Sequence, residues 1–196
     1  MTEDLVGSVL VLKATRLLKS AGVPDAARDA RRLFSHAMGV DASRLTLTLP
    51  DPVAAEDAAV FTTLIARRQN REPVSHLIGK RAFYGREFAV TPAVLDPRPE
   101  TETLIEVALR SHFTKMADLG TGSGCILVTL LAEVPCGQGI GVDLSPSALA
   151  VAARNAQTHG VVDRASFHCA DWLNGISGPF DLIVANPPYI AVAEMA

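Results

Sequence analysis

No stretch of this sequence approaches the ~20 consecutive apolar residues that a helix needs to cross a bilayer. The opening Met1-Thr-Glu-Asp is acidic and lacks the basic start of a secretory signal, so a cytoplasmic protein is the expectation. Cysteine is scarce and odd in number. Cys125, Cys136 and Cys169 form no Cys-x-x-Cys pair, which argues against a disulfide framework and a zinc site; all three are expected to be reduced core residues, with no metal bound. A basic excess is missing too: 18 Lys and Arg face 21 Asp and Glu, for a net charge of −3 and a pI near 5.9. The charge is uneven, since residues 1–80 hold 11 basic and 9 acidic groups (+2) and residues 81–196 hold 7 and 12 (−5). Proteins that grip nucleic acid through its phosphates usually show the opposite balance, so a nucleic-acid substrate is disfavoured. What is plentiful is apolar: 48% of the 196 residues are hydrophobic, enough for a buried core and too many for a disordered chain.

The first seventy residues read as helices. Val6, Val9, Leu10, Leu17 and Leu18 recur at helical spacing up to Gly22-Val-Pro. Ala26, Ala30, Leu33, Phe34 and Ala37 form a second stripe that stops at Gly39. A short segment around 43–47 follows. Asp51-Pro52 then offers an N-cap and a first-turn proline for a helix to about Asn70, with Val60, Leu64 and Ile65 inward and Arg67, Arg68 and Arg71 outward as a solvated basic face. Residues 73–97 are punctuated by Pro73, Gly79, Gly85, Pro92 and Pro97, and 78–84 with 87–91 suggest a hairpin turning at Gly85-Arg86. The expected division is a helical domain over 1–72, a β-hairpin connector over 73–97 and a catalytic domain over 98–196. Thr101-Glu-Thr-Leu-Ile-Glu opens a helix with Leu104, Ile105, Ala108 and Leu109 as its apolar positions.

From Lys115 onward strands and helices alternate: strand 116–119, a glycine loop, helix 126–132, strand 139–142 ending in Asp143, helix 146–159, strand 165–169 and an apolar strand over 180–185. That is the opening of a doubly wound α/β sheet. Asp118-Leu-Gly-Thr-Gly-Ser-Gly lies where a strand turns into a helix. Its three glycines allow a tight turn and let a ligand lie directly on the chain. Asp143 falls 19 residues after Gly124, at the end of the next strand, where a carboxylate can accept the hydroxyls of a ribose. A dinucleotide fingerprint would place its third glycine at 125, where the residue is Cys125, so an NAD-dependent oxidoreductase ranks last among the readings. Trp172, the only tryptophan, is either a core residue or a flat surface for a purine.

Asn186-Pro187-Pro188-Tyr189 follows the apolar strand directly, at the carboxyl end where open α/β sheets bind ligands. An amide nitrogen is a poor nucleophile because its lone pair is delocalised into the carbonyl. The Asn186 side-chain oxygen and the Pro187 carbonyl can accept both N–H hydrogens of such a group, aim its lone pair and stabilise the charge that develops; Tyr189 can stack on it. No general base stands out.

The Asp-x-Gly-x-Gly-x-Gly spacing resembles motif I of the class I S-adenosylmethionine methyltransferases. Asn-Pro-Pro-Tyr is shared by adenine-N6 DNA methyltransferases and protein glutamine methyltransferases. The helical start, Arg71-Glu-Pro-Val-Ser-His-Leu-Ile-Gly, Phe83-Tyr-Gly-Arg-Glu-Phe and Asp96-Pro-Arg-Pro-Glu-Thr-Glu resemble the release factor glutamine methyltransferases, from about residue 5 to the end. The resemblance implies an α/β, Rossmann-like class I methyltransferase fold preceded by a small helical domain that docks a release factor. It implies S-adenosyl-L-methionine as cofactor, held by Gly120, Thr121, Gly122, Ser123, Gly124, Asp143, Trp172 and Asn186. Asn186, Pro187, Pro188 and Tyr189 would hold the glutamine of a Gly-Gly-Gln motif, with Asn186, Pro187 and Tyr189 catalytic. Arg98 and Glu100 either line the cofactor pocket or form an ion pair. The family's chain continues past Asn-Pro-Pro-Tyr to complete a seven-stranded sheet, whereas this one stops seven residues later. The expectation is an incomplete sheet, an exposed strand ending at Ala185 and poor stability or activity in isolation. A nucleic-acid adenine methyltransferase and a non-catalytic release-factor-binding fragment stay open as alternatives.

Overall fold

The computed structural model describes residues 6–187, which form two compact units meeting in sequence at Ile78 and Gly79. Among the described residues no helix is long and apolar enough to cross a membrane.

The first unit is helical: α1 (Gly7–Ser20), α2 (Ala26–Ala37), α3 (Leu45–Thr48), α4 (Ala55–Gln69) and α5 (Val74–Ile78). Its core gathers Val11, Ala14, Leu18, Leu33, Phe34, Phe61, Leu64 and Ile65, with Phe34 and Phe61 edge to face at 5.2 Å between ring centroids. The buried face of α1 is rotated from the expected stripe: Val11, Ala14 and Leu18 point inward, while Val9 and Leu17 are exposed. Nor does α4 begin at Asp51-Pro52. The Leu49 and Asp51 carbonyls accept the otherwise orphaned N–H groups of Ser8 and Gly7 in the first turn of α1, and Pro52 bridges Val6. That tertiary use of the segment delays the helix to Ala55. Val60 lies outside and Phe61 takes its place in the core.

The expected solvated arginine face holds for Arg67 and Arg71, which are exposed, but Arg68 is drawn inward. Arg68 donates from Nε to Asp29 at 2.9 Å, and both side chains are largely buried. Arg71 donates to the Ala21 and Gly22 carbonyls just beyond α1, and Arg67 pairs with Glu72.

The second unit opens with the hairpin β1 (Lys80–Phe83) and β2 (Arg86–Ala89), in which Phe83 pairs with Arg86. The two-residue turn is therefore Tyr84-Gly85, one residue earlier than expected, with positive φ at both positions (46° and 70°) as a primed hairpin turn requires. A single 3₁₀ turn, Pro99–Thr101, leads into α6 (Glu102–Ala108). Then come β3 (Lys115–Leu119), α7 (Cys125–Glu133), β4 (Gln138–Asp143), α8 (Pro146–Thr158), β5 (Ala165–Cys169) and β6 (Leu182–Ala185).

The four long-range strands are parallel, in the order β5-β4-β3-β6. The chain builds outward from β3 on one side, then crosses to its other side for β6, so the carboxyl end of β3 is a topological switch point. One sheet face packs Met116, Phe167, Leu182 and Val184 against α6, α7, α8 and the hairpin phenylalanines. Gly139 lets α7 sit close, because a Cβ there would lie 2.6 Å from Leu127 Cδ1. The opposite face, through Ala117, Leu119, Ile140, Val142 and Ala185, packs on Ala170, Leu173, Ile176 and Phe180.

Two further expectations fail in this unit. Strand β6 starts at Leu182, because Asp181 serves as a staple: its Oδ2 accepts from Thr114 N, Thr114 Oγ1 and Lys115 N. Those bonds hold its carboxyl down at about 2. Only Cys125 is a core cysteine; Cys136 and Cys169 are exposed.

Candidate active site

The parallel register brings four strand ends to one edge. Leu119 of β3 pairs with Val142 on one side and Ala185 on the other, and Asp143 pairs with Cys169. The glycine loop, Asp143, the Trp172 turn and Asn186 therefore leave the sheet at the same edge.

Asp118, in β3, organises the loop. Its Oδ2 accepts from Thr121 Oγ1 at 2.7 Å and from Leu127 N, in the first turn of α7, at 3.3 Å. A carboxylate beside the orphaned N–H groups of a helix start is favourable. Complete burial outweighs these bonds and pushes the carboxyl up to about 6. Its Oδ1 has no partner among the described residues.

Gly120, Gly122 and Gly124 all take positive φ (70°, 55° and 75°). Gly120 N and Thr121 N both donate to the Val142 carbonyl, at 2.8 and 2.9 Å, and Gly122 N donates to Asp143 Oδ2 at 2.9 Å. The loop is thus spliced onto the end of β4. The three glycines answer different demands. A Cβ on Gly124 would meet Ala152 Cβ at 3.0 Å and Ala152 Cα at 3.2 Å, so this glycine permits α7 to approach α8. A Cβ on Gly120 meets nothing within 4 Å, and one on Gly122 meets only Gly120 O at 4.0 Å. These two present bare backbone to open space. Thr121 and Ser123 point inward and are buried, with the Thr121 hydroxyl engaged by Asp118.

Asp143 sits half-buried at the rim. Its Oδ1 accepts from Ser145 N at 2.9 Å, and each carboxylate oxygen keeps a lone pair beyond its backbone bond. Ser145 in turn caps α8 through Ala148 N. Trp172, after β5, is 59% exposed and holds a positive φ of 52°. It is not a core residue. A bulky residue in that backbone region is strained, a condition that clusters at functional sites.

Asn186 is half-buried and donates from Nδ2 to Thr101 Oγ1 at 2.9 Å. This bond joins the end of β6 to the Pro-Arg-Pro-Glu-Thr-Glu segment. That segment is tied to the hairpin: Arg81 pairs with Asp96 at 3.6 Å and donates to the Pro97 carbonyl, and Glu102 Oε1 accepts from Tyr84 N at 2.8 Å. Pro187 is exposed, while Pro188 and Tyr189 lie outside the described residues. Arg98 and Glu100 are exposed, and neither makes an ion pair among the described residues.

Sequence reasoning missed three residues of this edge. Thr101 stood inside a recognised motif, but its partner lies 85 positions away. Asp118 was visible as the strand acid without its role. Asn155, 1% exposed in α8, accepts from Ala89 N and donates to Ala89 O and to Ser123 O, locking the glycine loop to β2; nothing in its neighbourhood of the sequence marks it.

A cavity of about 640 Å³, lined by Met116, Gln138, Ile140, Ala165, Ser166 and Phe180 among others, lies at the amino ends of the strands. That is the end opposite the one where such sheets bind ligands.

Open backbone at Gly120 and Gly122, a rim carboxylate with free lone pairs, an exposed indole and an oriented carboxamide make up a set that fits a nucleoside-bearing methyl donor and an amide acceptor. Comparisons with known proteins give the chain's relatives. Residues 10–79 match the family model described as "PrmC N-terminal domain", and residues 95–196 match "Methyltransferase small domain". A release factor glutamine methyltransferase of Cereibacter sphaeroides is 56% identical over 91% of this chain and 64% of its own length. That of Rhodospirillum rubrum is 45% identical over 98% of this chain and 60% of its own. That of Chlorobaculum tepidum is 36% identical over 100% of this chain and 72% of its own. The chain thus spans 64% and 60% of the first two relatives.

Proposed function

The chain belongs to the release factor glutamine methyltransferase family, and on that premise we propose that it methylates the side-chain amide nitrogen of the glutamine in the Gly-Gly-Gln motif of a peptide chain release factor, with S-adenosyl-L-methionine as donor. The observation that carries this reading is the placement of Asn186: at the carboxyl end of β6, beside the glycine loop, with its amide nitrogen engaged by Thr101.

S-adenosyl-L-methionine, when bound, supplies an electrophilic methyl group. Gly120 and Gly122 offer it bare backbone, Asp143 offers ribose acceptors and Trp172 a flat ring for the adenine; Thr121 and Ser123 contribute main chain only. Asn186 Oδ1 and the Pro187 carbonyl accept the two N–H hydrogens of the substrate amide. They hold its lone pair toward the donor and stabilise the positive charge that grows on nitrogen. The reaction asks the protein for orientation and electrostatics, not for a nucleophile of its own. The nitrogen that gains the methyl group then releases one of its two hydrogens as a proton to solvent, which returns the product to a neutral N-methyl amide. The helical unit is assigned to docking the release factor, in the cytoplasm.

The test is transfer of labelled methyl to purified release factor and to nucleic acid, using this chain beside a version extended to its relatives' length. Label in the release factor supports the reading. Label in nucleic acid alone selects the adenine alternative. Release-factor binding without transfer by either version selects the non-catalytic one.

A further inference from the structure

We propose that Thr101 is a positioning residue of the glutamine site: its hydroxyl holds the Asn186 carboxamide in the orientation that leaves Oδ1 free for a substrate N–H. This rests on the reading of Asn186 as the acceptor for an amide substrate. A carboxamide presents an acceptor on one side and a two-proton donor on the other. Turned about its own axis, Asn186 would set its NH₂ against the NH₂ of the substrate, and the bond that aims the lone pair would become a repulsion. Something must therefore choose between the two orientations before substrate arrives, as preorganised sites do.

Thr101 Oγ1 accepts from Asn186 Nδ2 at 2.9 Å, and Thr101 is 8% exposed, so water competes little for the bond. The backbone that carries the hydroxyl is itself fixed. Thr101 N donates to the Arg98 carbonyl at 3.0 Å within the 3₁₀ turn, and the next residue, Glu102, accepts from Tyr84 N. On the upstream side Arg81 grips Asp96 and Pro97. The hairpin thereby acts on the chemistry: it anchors the segment that anchors Asn186. Asn186 is held from its other side by β6, through the pairing of Ala185 with Leu119.

Thr101→Val keeps the shape and removes the acceptor, whereas Thr101→Ser keeps the acceptor. Steady-state methylation of release factor is expected to show kcat roughly tenfold lower in the Val variant, the scale of one buried hydrogen bond, with KM for S-adenosylmethionine within about twofold and Ser close to wild type. An unchanged kcat in the Val variant, or a loss that Ser does not restore, overturns the inference. A second readout is independent of turnover. The Asn186 side-chain amide signals in a ¹⁵N spectrum, assigned by their loss in Asn186→Ala, should shift and exchange faster with water in the Val variant. Signals that stay in place overturn the inference. A wild-type protein that transfers no methyl to any release factor overturns the substrate reading instead, and the amide signals then still decide on the hydrogen bond.

Discussion

One methyl group added at Gly124 and, separately, at Gly120 should injure the protein in two different ways. Both glycines sit at φ of 70–75°, where a side chain costs about 1–2 kcal/mol. At Gly124 the new Cβ also meets Ala152 Cβ at 3.0 Å and Ala152 Cα at 3.2 Å. The second is helix backbone, which cannot rotate aside, so α7 must move away from α8 at a further ~1–3 kcal/mol. Gly124→Ala should lose roughly 2–5 kcal/mol in all, about 10–20 °C or more in Tm for a unit of this size. Gly120→Ala meets nothing within 4 Å and should lose only the backbone part, about 5–10 °C. Binding reverses the order. The Gly120 methyl projects into the space assigned to the cofactor and should weaken S-adenosylmethionine by at least about tenfold, a loss of roughly 1.4 kcal/mol. Folded Gly124→Ala should bind nearly as wild type. Thermal unfolding by circular dichroism and calorimetric titration with S-adenosylmethionine measure the two effects. Unimpaired binding by Gly120→Ala would refute the placement of the ligand on that open backbone. Equal stabilities would refute the packing role of Gly124.

Further outcomes follow from the same geometry. The Asp118 carboxyl, raised from 3.8 to about 6 chiefly by burial, holds its proton more tightly folded than unfolded. Its ionisation thus weakens the fold as pH climbs through that window, by about 3 kcal/mol once complete. Asp118→Asn cannot ionise, so its stability in urea relative to wild type should improve by about that much between pH 4 and pH 7; a difference constant with pH contradicts the assignment. Asn155→Ala leaves Ala89 N–H and the Ser123 carbonyl unpaired and should cost about 2–4 kcal/mol in chemical denaturation. A loss under about 0.5 kcal/mol, typical of a surface site, would show that Asn155 is not locking the loop. Trp172→Gly accommodates the positive φ of 52° and should leave Tm within a few degrees while weakening the cofactor by about tenfold, the scale of one stacking contact. Unchanged affinity would remove Trp172 from the site. Asp29→Ala strands the Arg68 charge inside the helical unit and should cost about 3 kcal/mol, where a solvated arginine face predicts almost nothing.

Local patterns carried much of this architecture. The strands around Met116, Gly139 and Ala165 and the helices closing near Ala37 and Gly160 were legible because their apolar periodicity and glycine stops act over a few residues. Errors came where a distant partner overrode a local signal. Asp51-Pro52 reads as a helix start until the first turn of α1 claims its carbonyls. Arg68 reads as solvated until Asp29, 39 positions earlier, folds beneath it. The hairpin turn slipped by one residue because Tyr84, a bulky residue at positive φ, carries no sequence signal for that role. At the candidate site, the meeting of Asp143, the open glycines and Asn186 at one sheet edge was legible from spacing, since strand ends in a parallel sheet converge by topology. Thr101, Asn155 and the split of duties among the three glycines were not, because each depends on which side chain lies across a gap that only the folded chain closes.

The most direct measurement is to incubate release factor with S-adenosylmethionine and this chain, extended to its relatives' length beside the chain itself, then fragment the Gly-Gly-Gln peptide in a mass spectrometer. One methyl on the glutamine side-chain nitrogen, absent when Asn186 is changed to Ala, is the predicted result. A methyl on any other residue, or one that persists undiminished in Asn186→Ala, contradicts the proposed chemistry.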